Sequence, residues 1–279
     1  MGQTIYLECY SGISGDMTVA ALLDLGADPV VLEKGISSLG IGGYKLRISR
    51  VKKSGIDGCD FAVVLDSEYE NHDHDMEYLH GYTHEHEHTH SPQCFNEKVA
   101  QNCGHEHSHR GLQDILEIIQ NADITKRAKE TAERIFTILA EAEAKAHGVE
   151  IEEVHFHEVG AVDSIVDIVG AAICFDNLQA DRVIIKELYE GQGCIRCQHG
   201  IIPVPVPAVI NIVRQQNLRL RIMDVQGELV TPTGAAIVAA MRTSDKLPES
   251  FMVKKIGIGV GKRNYQTSGY LRAMIISEE

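Results

Sequence analysis

The spacing of hydrophobic and polar positions predicts strands that alternate irregularly with helices toward both ends of the chain. Alternation predicts strands over 4–9, 44–51, 59–65, 182–188, 218–223, 251–260 and 270–276. Helical spacing and capping residues predict helices over 17–25, 29–40, 112–119, 125–147, 162–175 and 208–216, with another opening in 227–236 and ending near 241. Residues 190–200 are predicted to be loop-rich, and 201–207 extended because prolines at alternate positions exclude a helix. The irregular alternation favours a mixed α/β fold, in which α+β layers surround a mixed sheet.

One predicted helix carries charges where a buried segment should have none. From Val162 to Phe175 the chain is apolar nearly all round, so this helix should be buried. Asp163 and Asp167 nevertheless share one stripe of it, a single turn apart. Two buried carboxylates repel each other, and each costs free energy unless a cation or several donors meet it. Capping of the helix explains Asp163 but not Asp167, so a functional site is favoured over a structural role.

Two histidines and a third acid lie just upstream of that stripe. His155 and His157 alternate around Phe156, so in an extended segment both imidazole rings leave on the same side. The structural alternative is a buried histidine that donates to a backbone carbonyl. No histidine follows Glu158 at the spacing of a zinc-protease helix. The predicted catalytic group is therefore His155, His157, Glu158, Asp163 and Asp167.

A histidine-rich tract interrupts the hydrophobic pattern between residues 68 and 110. It holds ten of the fourteen histidines, interleaved with acids, and it lacks apolar periodicity, which predicts a disordered, mobile insertion. Imidazole suits nickel, copper and zinc, so metal capture is favoured over an idle polar linker. The predicted metal ligands are His84, His86, His88, His90, His105, His107 and His109. The chain is thus divided into an N-terminal segment 1–67, the insertion 68–110, and a core 111–279 that completes the same domain.

Two segments have the form of anion-binding loops that lead into helices. Residues 11–16 join a strand to a helix, and residues 231–234 place two threonines around a proline at another helix start. Backbone N–H groups at helix N-termini favour phosphate, although ordinary helix capping explains each segment equally well. His199 precedes a segment made rigid by prolines and is added as a further candidate. The predicted substrate-binding residues are Ser11, Ser14, Gly15, Asp16, His199, Thr231 and Thr233.

Two other motifs carry weaker signals. The glycine-rich segment 257–263 places Arg263 where a Walker A loop needs Ser or Thr, so it is predicted to end a strand in a bulge or turn. Cys194 and Cys197 form a single C-x-x-C pair, which could bind a soft metal or do redox work. A structural zinc site needs a second such pair, so neither cysteine is given a role.

Composition limits the classes of partner. The formal net charge of −14 argues against nucleic acid or an anionic membrane as the main partner. Seven scattered cysteines fit a reducing compartment better than a disulfide framework. The N-terminal residues lack the features of a signal peptide, and no apolar run is long enough for a membrane span, so a cytoplasmic protein is expected.

The motifs, taken together and in order, resemble one family. They are YSGISGDM (10–17), EAKAHG (143–148), HFHEVGAVDSIVDIVG (155–170), HGIIPVP (199–205) and GELVTPTGAA (227–236), with a histidine-rich insertion between the first and the second. This order resembles the LarC family of nickel insertases over essentially the whole chain. Residues 266–270, Gln-Thr-Ser-Gly-Tyr, differ from the Pro-Asn expected there.

The resemblance implies a reaction. Ni(II) would be inserted into pyridinium-3,5-bisthiocarboxylic acid mononucleotide, with formation of two Ni–S bonds and one Ni–C bond. The product would be the nickel-pincer cofactor of lactate-racemase-type enzymes. The resemblance also implies use of CTP with Mn or Mg by a further C-terminal domain, which the sequence to Glu279 is expected to lack. Implied partners are a separate C-terminal chain, a nickel-pincer-dependent racemase and further copies of the same chain.

These implications combine with the residue-level reading into one hypothesis. The histidine-rich tract would gather nickel, and His155, His157, Asp163 and Asp167 would hold it beside the substrate. One of the two histidines or Glu158 would accept the ring proton, and the loops at 11–16 and 231–234 would hold the phosphate. The main alternative is a nickel metallochaperone or store without chemistry of its own. A metal-dependent hydrolase is less favoured, because neither a nucleophile elbow nor a zincin motif is present.

Overall fold

A mixed six-stranded sheet forms the centre of the protein. The structure is a computed structural model that describes residues 2–66, 76, 79, 111–154, 162–197 and 199–278. Its strands are β1 Gln3–Glu8, β2 Tyr44–Lys53, β3 Ile56–Leu65, β4 Ala180–Ile184, β5 Leu188–Gln192, β6 Cys194–Cys197, β7 Gly200–Pro203, β8 Leu220–Gln226, β9 Met252–Val260 and β10 Tyr270–Ser277. The sheet has the order β2-β3-β9-β10-β1-β4, with the β3–β9 and β1–β4 pairs parallel and the others antiparallel. Strand β5 pairs with β8, and β6 pairs with β7.

Seven α-helices pack around this sheet within the described ranges. They are α1 Gly15–Leu25, α2 Pro29–Ser37, α3 Leu112–Asn121, α4 Lys126–His147, α5 Val162–Asn177, α6 Pro207–Gln215 and α7 Pro232–Met241. Local signals account for several ends: the Asp28 side chain accepts from Val30 N–H at 2.8 Å, and Thr125 caps α4. Gly148 ends α4 in the left-handed conformation, at φ 71°. The mixed α/β fold predicted from the sequence is confirmed.

Helix α1 lies directly against the sheet because β9 carries two glycines. A Cβ atom on Gly259 would stand 2.0 Å from the carbonyl oxygen of Met17, and one on Gly257 would stand 2.3 Å from that of Ala21. Strand β9 ends at Val260, so residues 261–263 leave the sheet, as the sequence predicted for this segment. The glycine spacing therefore serves close helix–sheet packing, and it brings the N-terminus of α1 near the residues that follow β9.

The core lies between the sheet and helices α1 and α5, and it continues to α4, which packs on α5, α6 and α7. Phe61, Phe136 and Phe175 are its largest fully buried side chains. Burial of each aromatic side chain stabilises the fold by up to about 3 kcal/mol. None of the described helices is both long and apolar enough to cross a membrane.

Two predictions between residues 182 and 200 are wrong. The predicted strand 182–188 is divided, because β4 ends at Ile184 and β5 begins at Leu188. After β4, Ile185 N–H donates to the Ser244 carbonyl, which takes the chain away from the central sheet. The predicted loop 190–200 contains the end of β5 and all of β6. Glu190 and Gly191 are poor strand formers, and their strand exists because β8 pairs with it. The domain boundaries at 67 and 110 stay predictions.

Candidate functional site

Three segments, which follow strands β1, β8 and β9, enclose a pocket beside the N-terminus of α1. The pocket has a volume of about 450 Å³, part of which is open to solvent. Its walls are the β1–α1 segment 11–17, the β8–α7 segment 228–231 and the β9–β10 segment 261–269. The polar side chains that line it are Ser11, Ser14, Asp16, Glu228, Thr231, Lys262, Arg263, Tyr265 and Thr267.

Backbone hydrogen bonds hold the β1–α1 and β8–α7 segments together. Ile13 N–H donates to the Leu229 carbonyl at 2.9 Å, and Thr231 N–H donates to the Ile13 carbonyl at 3.1 Å. Gly12 adopts φ 85°, and a Cβ there would stand 2.0 Å from the Leu229 carbonyl oxygen. Only glycine fits this close approach in the left-handed region. The two loops predicted separately from the sequence therefore form one continuous wall.

Asp16 is the carboxylate at the helix end of this wall. It is 4% exposed, and its Oδ1 accepts from Met17 N–H at 2.8 Å and from the Ser14 hydroxyl. The N-terminus of α1 favours its negative charge. Its Oδ2 lies 3.1 Å from Lys262 Nζ, so one cation of the β9–β10 segment is paired to the start of α1.

Asp167 lies behind Asp16, on helix α5. A Cβ on Gly15 would come within 2.6 Å of Asp167 Oδ2, so the carboxylate packs directly against this glycine. Burial, and then the charge of Asp16, raise the pKa of Asp167 well above its ordinary value, while Lys262 opposes that rise. Its Oδ1 is buried without a hydrogen-bond partner among the residues that the structure describes. Burial lowers the pKa of Lys262, but Asp16 and Asp167 outweigh burial and the net pKa is raised, so Lys262 stays an ammonium ion.

A second ion pair closes the other side of the pocket. Arg263 pairs with Glu228, and these side chains are 16% and 4% exposed. Ser11 Oγ lies 3.0 Å from Ser268 Oγ, which links the first segment to the third. Buried pairs of this kind are costly when one partner is removed, because the remaining charge is left without compensation. The pocket thus holds two cations, each fixed by an acid, together with several hydroxyl groups.

The structure distributes the predicted substrate-binding residues unevenly. Ser11, Ser14, Asp16 and Thr231 line the pocket. Gly15 lies beneath it against Asp167, and Thr233 is buried in the first turn of α7. The sequence alone did not predict the roles of Lys262, Arg263 and Glu228. The only signal in the sequence was the basic pair Lys262–Arg263 after a glycine-rich strand. It was given no role, because the segment does not fit a Walker A loop.

His199 is exposed, and it lies near the end of α4 rather than among the pocket-lining residues. Its ring centroid is 4.9 Å from that of His147 at an angle of 74°, and its Nδ1 is 3.7 Å from Cys197 Sγ. His147 Nε2 lies 3.5 Å from Glu143 Oε2. The segments 143–148 and 199–205, which carried part of the family resemblance, therefore meet in space.

Much of the predicted catalytic and metal-binding set lies outside the described residues. This applies to His155, His157 and Glu158, and to the predicted nickel ligands from His84 to His109. Asp163 is described one turn before Asp167 on α5, with a buried Oδ1. Within the described ranges, no three His, Cys, Asp or Glu side chains are arranged to hold a metal ion. The predicted nickel ligands stay predictions.

Comparisons with known proteins identify the family. Residues 5–279 match the family model described as nickel insertion protein. A protein of Alkaliphilus metalliredigens, named pyridinium-3,5-bisthiocarboxylic acid mononucleotide nickel insertion protein, is 54% identical over 278 residues, which cover 100% of this chain and 61% of that protein. A protein of the same name from Clostridium acetobutylicum is 44% identical, with coverage of 99% and 64%. A putative nickel insertion protein of Myxococcus xanthus is 39% identical, with coverage of 95% and 58%.

This chain spans 58–64% of the length of these relatives. No solved structure matches it. The family model nevertheless covers nearly all of its residues, in agreement with the resemblance seen in the sequence motifs. The chain therefore belongs to the nickel insertion protein family.

Proposed function

We propose that this chain inserts Ni(II) into pyridinium-3,5-bisthiocarboxylic acid mononucleotide and so acts as a nickel chelatase of the lyase class. Nickel and the mononucleotide are both substrates in this proposal. The observation that carries it is the pocket in which two acid-fixed cations and several hydroxyls lie beside the buried carboxylate of Asp167. The names of two relatives supply the identity of the substrate in this proposal.

The described side chains match the anionic parts of that mononucleotide. A phosphate and two thiocarboxylate groups need cations and hydrogen-bond donors. Arg263 presents a planar fork suited to such groups, and Lys262 adds a point charge. The hydroxyls of Ser11 and Thr231 add polar groups on the opposite wall.

Formation of a Ni–C bond requires that a ring C–H bond break. Its electron pair goes to nickel, and its proton goes to a base on the protein. We assign the base to His155, His157 or Glu158, which precede the helix that carries Asp163 and Asp167. In this proposal the two aspartates orient and bind the reacting groups, and the histidines from His84 to His109 gather the incoming nickel.

The rest of the proposal concerns the protein's surroundings. A further C-terminal region, on the same or a separate chain, would supply the site for CTP with Mn or Mg. The nickel-pincer product would pass to a lactate-racemase-type enzyme, and the chain would form homo-oligomers. A reducing cytoplasm is part of the proposal, and the thiols of cysteines 9, 59, 174, 194 and 197 are compatible with it.

Reconstitution tests the reaction. The chain is given the pincer precursor and Ni(II), with and without CTP and the C-terminal region of a relative, and activation of a pincer-dependent racemase is measured. We expect activation that Arg263→Met lowers and that the control Arg221→Met preserves, because Arg221 pairs with Glu187 outside the pocket.

The same assay separates insertion from storage of nickel. A metallochaperone predicts that deletion of residues 70–109 abolishes activation even at saturating nickel, while Asp167→Asn has no effect. Insertion at the proposed site predicts the reverse: excess nickel rescues the deletion, and Asp167→Asn stays impaired. No activation by the wild-type chain under any of the conditions would overturn the proposal.

A further inference from the structure

Two ionisable side chains that do not line the pocket hold two of its walls from outside. Lys53 is the last residue of β2 and contacts the β9–β10 segment, whereas Glu190 lies in β5 and contacts the β8–α7 segment. We propose that Lys53 and Glu190 are positioning residues, which set the pocket's cations at the places where the substrate's anionic groups bind. This inference rests on the proposed function for the identity of the substrate.

Lys53 fixes the turn that presents Lys262 and Arg263. Its Nζ donates to the carbonyl oxygens of Gly261 and Arg263, both at 2.6 Å. These two carbonyls flank Lys262, so the backbone on both sides of that residue is fixed by one ammonium group. Gly269, at φ 63°, leaves the space for it, because a Cβ there would stand 2.8 Å from Nζ.

Glu190 performs the corresponding task on the opposite wall. It is fully buried, and its Oε1 accepts from the N–H groups of Gly191 and Leu229 at 2.7 Å and of Val230 at 3.1 Å. Leu229 is the residue whose carbonyl accepts from Ile13, so Glu190 also sets the position of the β1–α1 segment. The other oxygen of Glu190, Oε2, is buried without a hydrogen-bond partner among the described residues.

The two contacts converge on one ion pair. Lys53 holds the carbonyl of Arg263, and Glu190 holds the amide of Leu229, the residue next to Glu228. The Arg263–Glu228 pair therefore joins two loops whose backbones are each fixed from behind. The burial of an ionisable side chain such as Glu190 for backbone contacts alone costs free energy. Binding of a substrate requires that the Arg263 guanidinium be placed to within a fraction of an ångström, and this requirement gives the contacts of Lys53 and Glu190 a functional reason.

The test compares matched variants at both positions. Lys53→Met removes the donor and Lys53→Arg retains one, while Lys52→Met serves as the control on the exposed neighbour in the same strand. Glu190→Met removes the acceptor and Glu190→Gln retains it, while Glu187→Gln alters a carboxylate that pairs with Arg221. Each protein is measured for melting temperature, for affinity toward the pyridinium mononucleotide without nickel, and for KM and kcat of nickel insertion.

We expect Lys53→Met and Glu190→Met to weaken mononucleotide binding and to raise KM by roughly tenfold or more, with a smaller change in kcat. The retaining variants should recover most of that loss, and the two controls should bind like the wild type. In an Arg263→Met background, each methionine variant should cost little further affinity, because its effect acts through Arg263. A purely structural role would lower the melting temperature without this coupling.

The outcomes separate this inference from the proposed function. Wild-type affinity in Lys53→Met and Glu190→Met, or losses that add fully to that of Arg263→Met, would overturn the positioning role. If a methionine variant does not fold, Lys53→Gln or Glu190→Asp takes its place in the same coupling measurement, because each shorter side chain withdraws its polar group from the backbone partners. A wild-type chain that binds the mononucleotide with the predicted coupling but inserts no nickel would refute the reaction and leave the positioning role standing.

Discussion

The contribution of Glu190 to the free energy of unfolding should decrease as pH rises. Burial, and then the charge of Glu228, raise its pKa to about 8 in the folded protein, although three backbone N–H groups oppose the rise. The ordinary value, 4.5, applies to the unfolded chain. Between these two values the folded state holds a proton that the unfolded state has released. The contribution of Glu190 to stability is therefore fully present below about pH 4.5, and it is lost as pH rises toward about 8.

The size of the effect follows from the width of that window. One bound proton changes the free energy of unfolding by about 1.4 kcal/mol for each pH unit between the two pKa values. From pH 4.5 to about 8 the loss amounts to roughly 5 kcal/mol, which is comparable to the whole stability of many domains. Glu190→Gln keeps an oxygen for the three N–H groups but has no proton to release, so its stability should lack this slope.

Urea unfolding followed by circular dichroism measures the slope directly. Wild type, Glu190→Gln and the control Glu187→Gln are unfolded at pH 5, 6, 7 and 8 at constant ionic strength. The difference between the unfolding free energies of wild type and Glu190→Gln should change by about 1.4 kcal/mol per pH unit, in favour of the variant at high pH. The control should follow the wild type, because hydrogen bonding from Tyr189 lowers the pKa of Glu187 and keeps it ionised throughout. Parallel curves for wild type and Glu190→Gln would refute the reasoning.

Three further substitutions test the packing and the charges of the site. Gly259→Ala should destabilise the fold by about 3 kcal/mol in urea unfolding, because its Cβ would stand 2.0 Å from the Met17 carbonyl oxygen. The control Gly42→Ala has open space around its Cβ and should leave the stability unchanged. Asp167→Asn should raise the melting temperature at pH 7 by removing a buried carboxylate, yet slow nickel insertion by about tenfold or more in the racemase-activation assay; an unchanged rate would contradict its role. Arg263→Met should destabilise the fold by about 3 kcal/mol because Glu228 stays buried, and adding Glu228→Gln should restore stability but not affinity for the mononucleotide.

The parts of the fold that sequence predicted correctly are those with local causes. Asp28 with Pro29 at the start of α2, and Thr125 with Gly148 at the two ends of α4, are capping arrangements within a few residues of each other. Most of strand β5 was missed because Glu190 and Gly191 have low strand propensity, and the strand depends on β8, which lies some thirty residues later in the chain. Tertiary pairing of that kind leaves no local signal.

The pocket shows the same difference between local and distant causes. Ser14, Asp16 and Thr231 could be predicted because each stands at a strand-to-helix connection, where anion sites commonly occur. Lys262 and Arg263 could not be predicted as part of the same site, since they follow a strand and precede no helix. Their role depends on contacts such as Ser11 with Ser268, which are 257 positions apart in the chain.

The acid stripe on α5 has a clear electrostatic consequence once Lys262 is included. The N-terminus of α1 attracts anions, but Asp16 and Asp167 lie at the same place. Negative charge on these acids would repel a phosphate unless a cation compensated it. Lys262 contacts Asp16 at 3.1 Å and opposes the rise in the pKa of Asp167, so one ammonium group acts on both acids. Arg263, whose acid partner lies on the other wall, is then the cation best placed for the substrate's anionic groups. In the proposed reaction, Asp163 and Asp167 on α5 therefore face the metal, and the Arg263 guanidinium binds the nucleotide on the opposite side of the pocket.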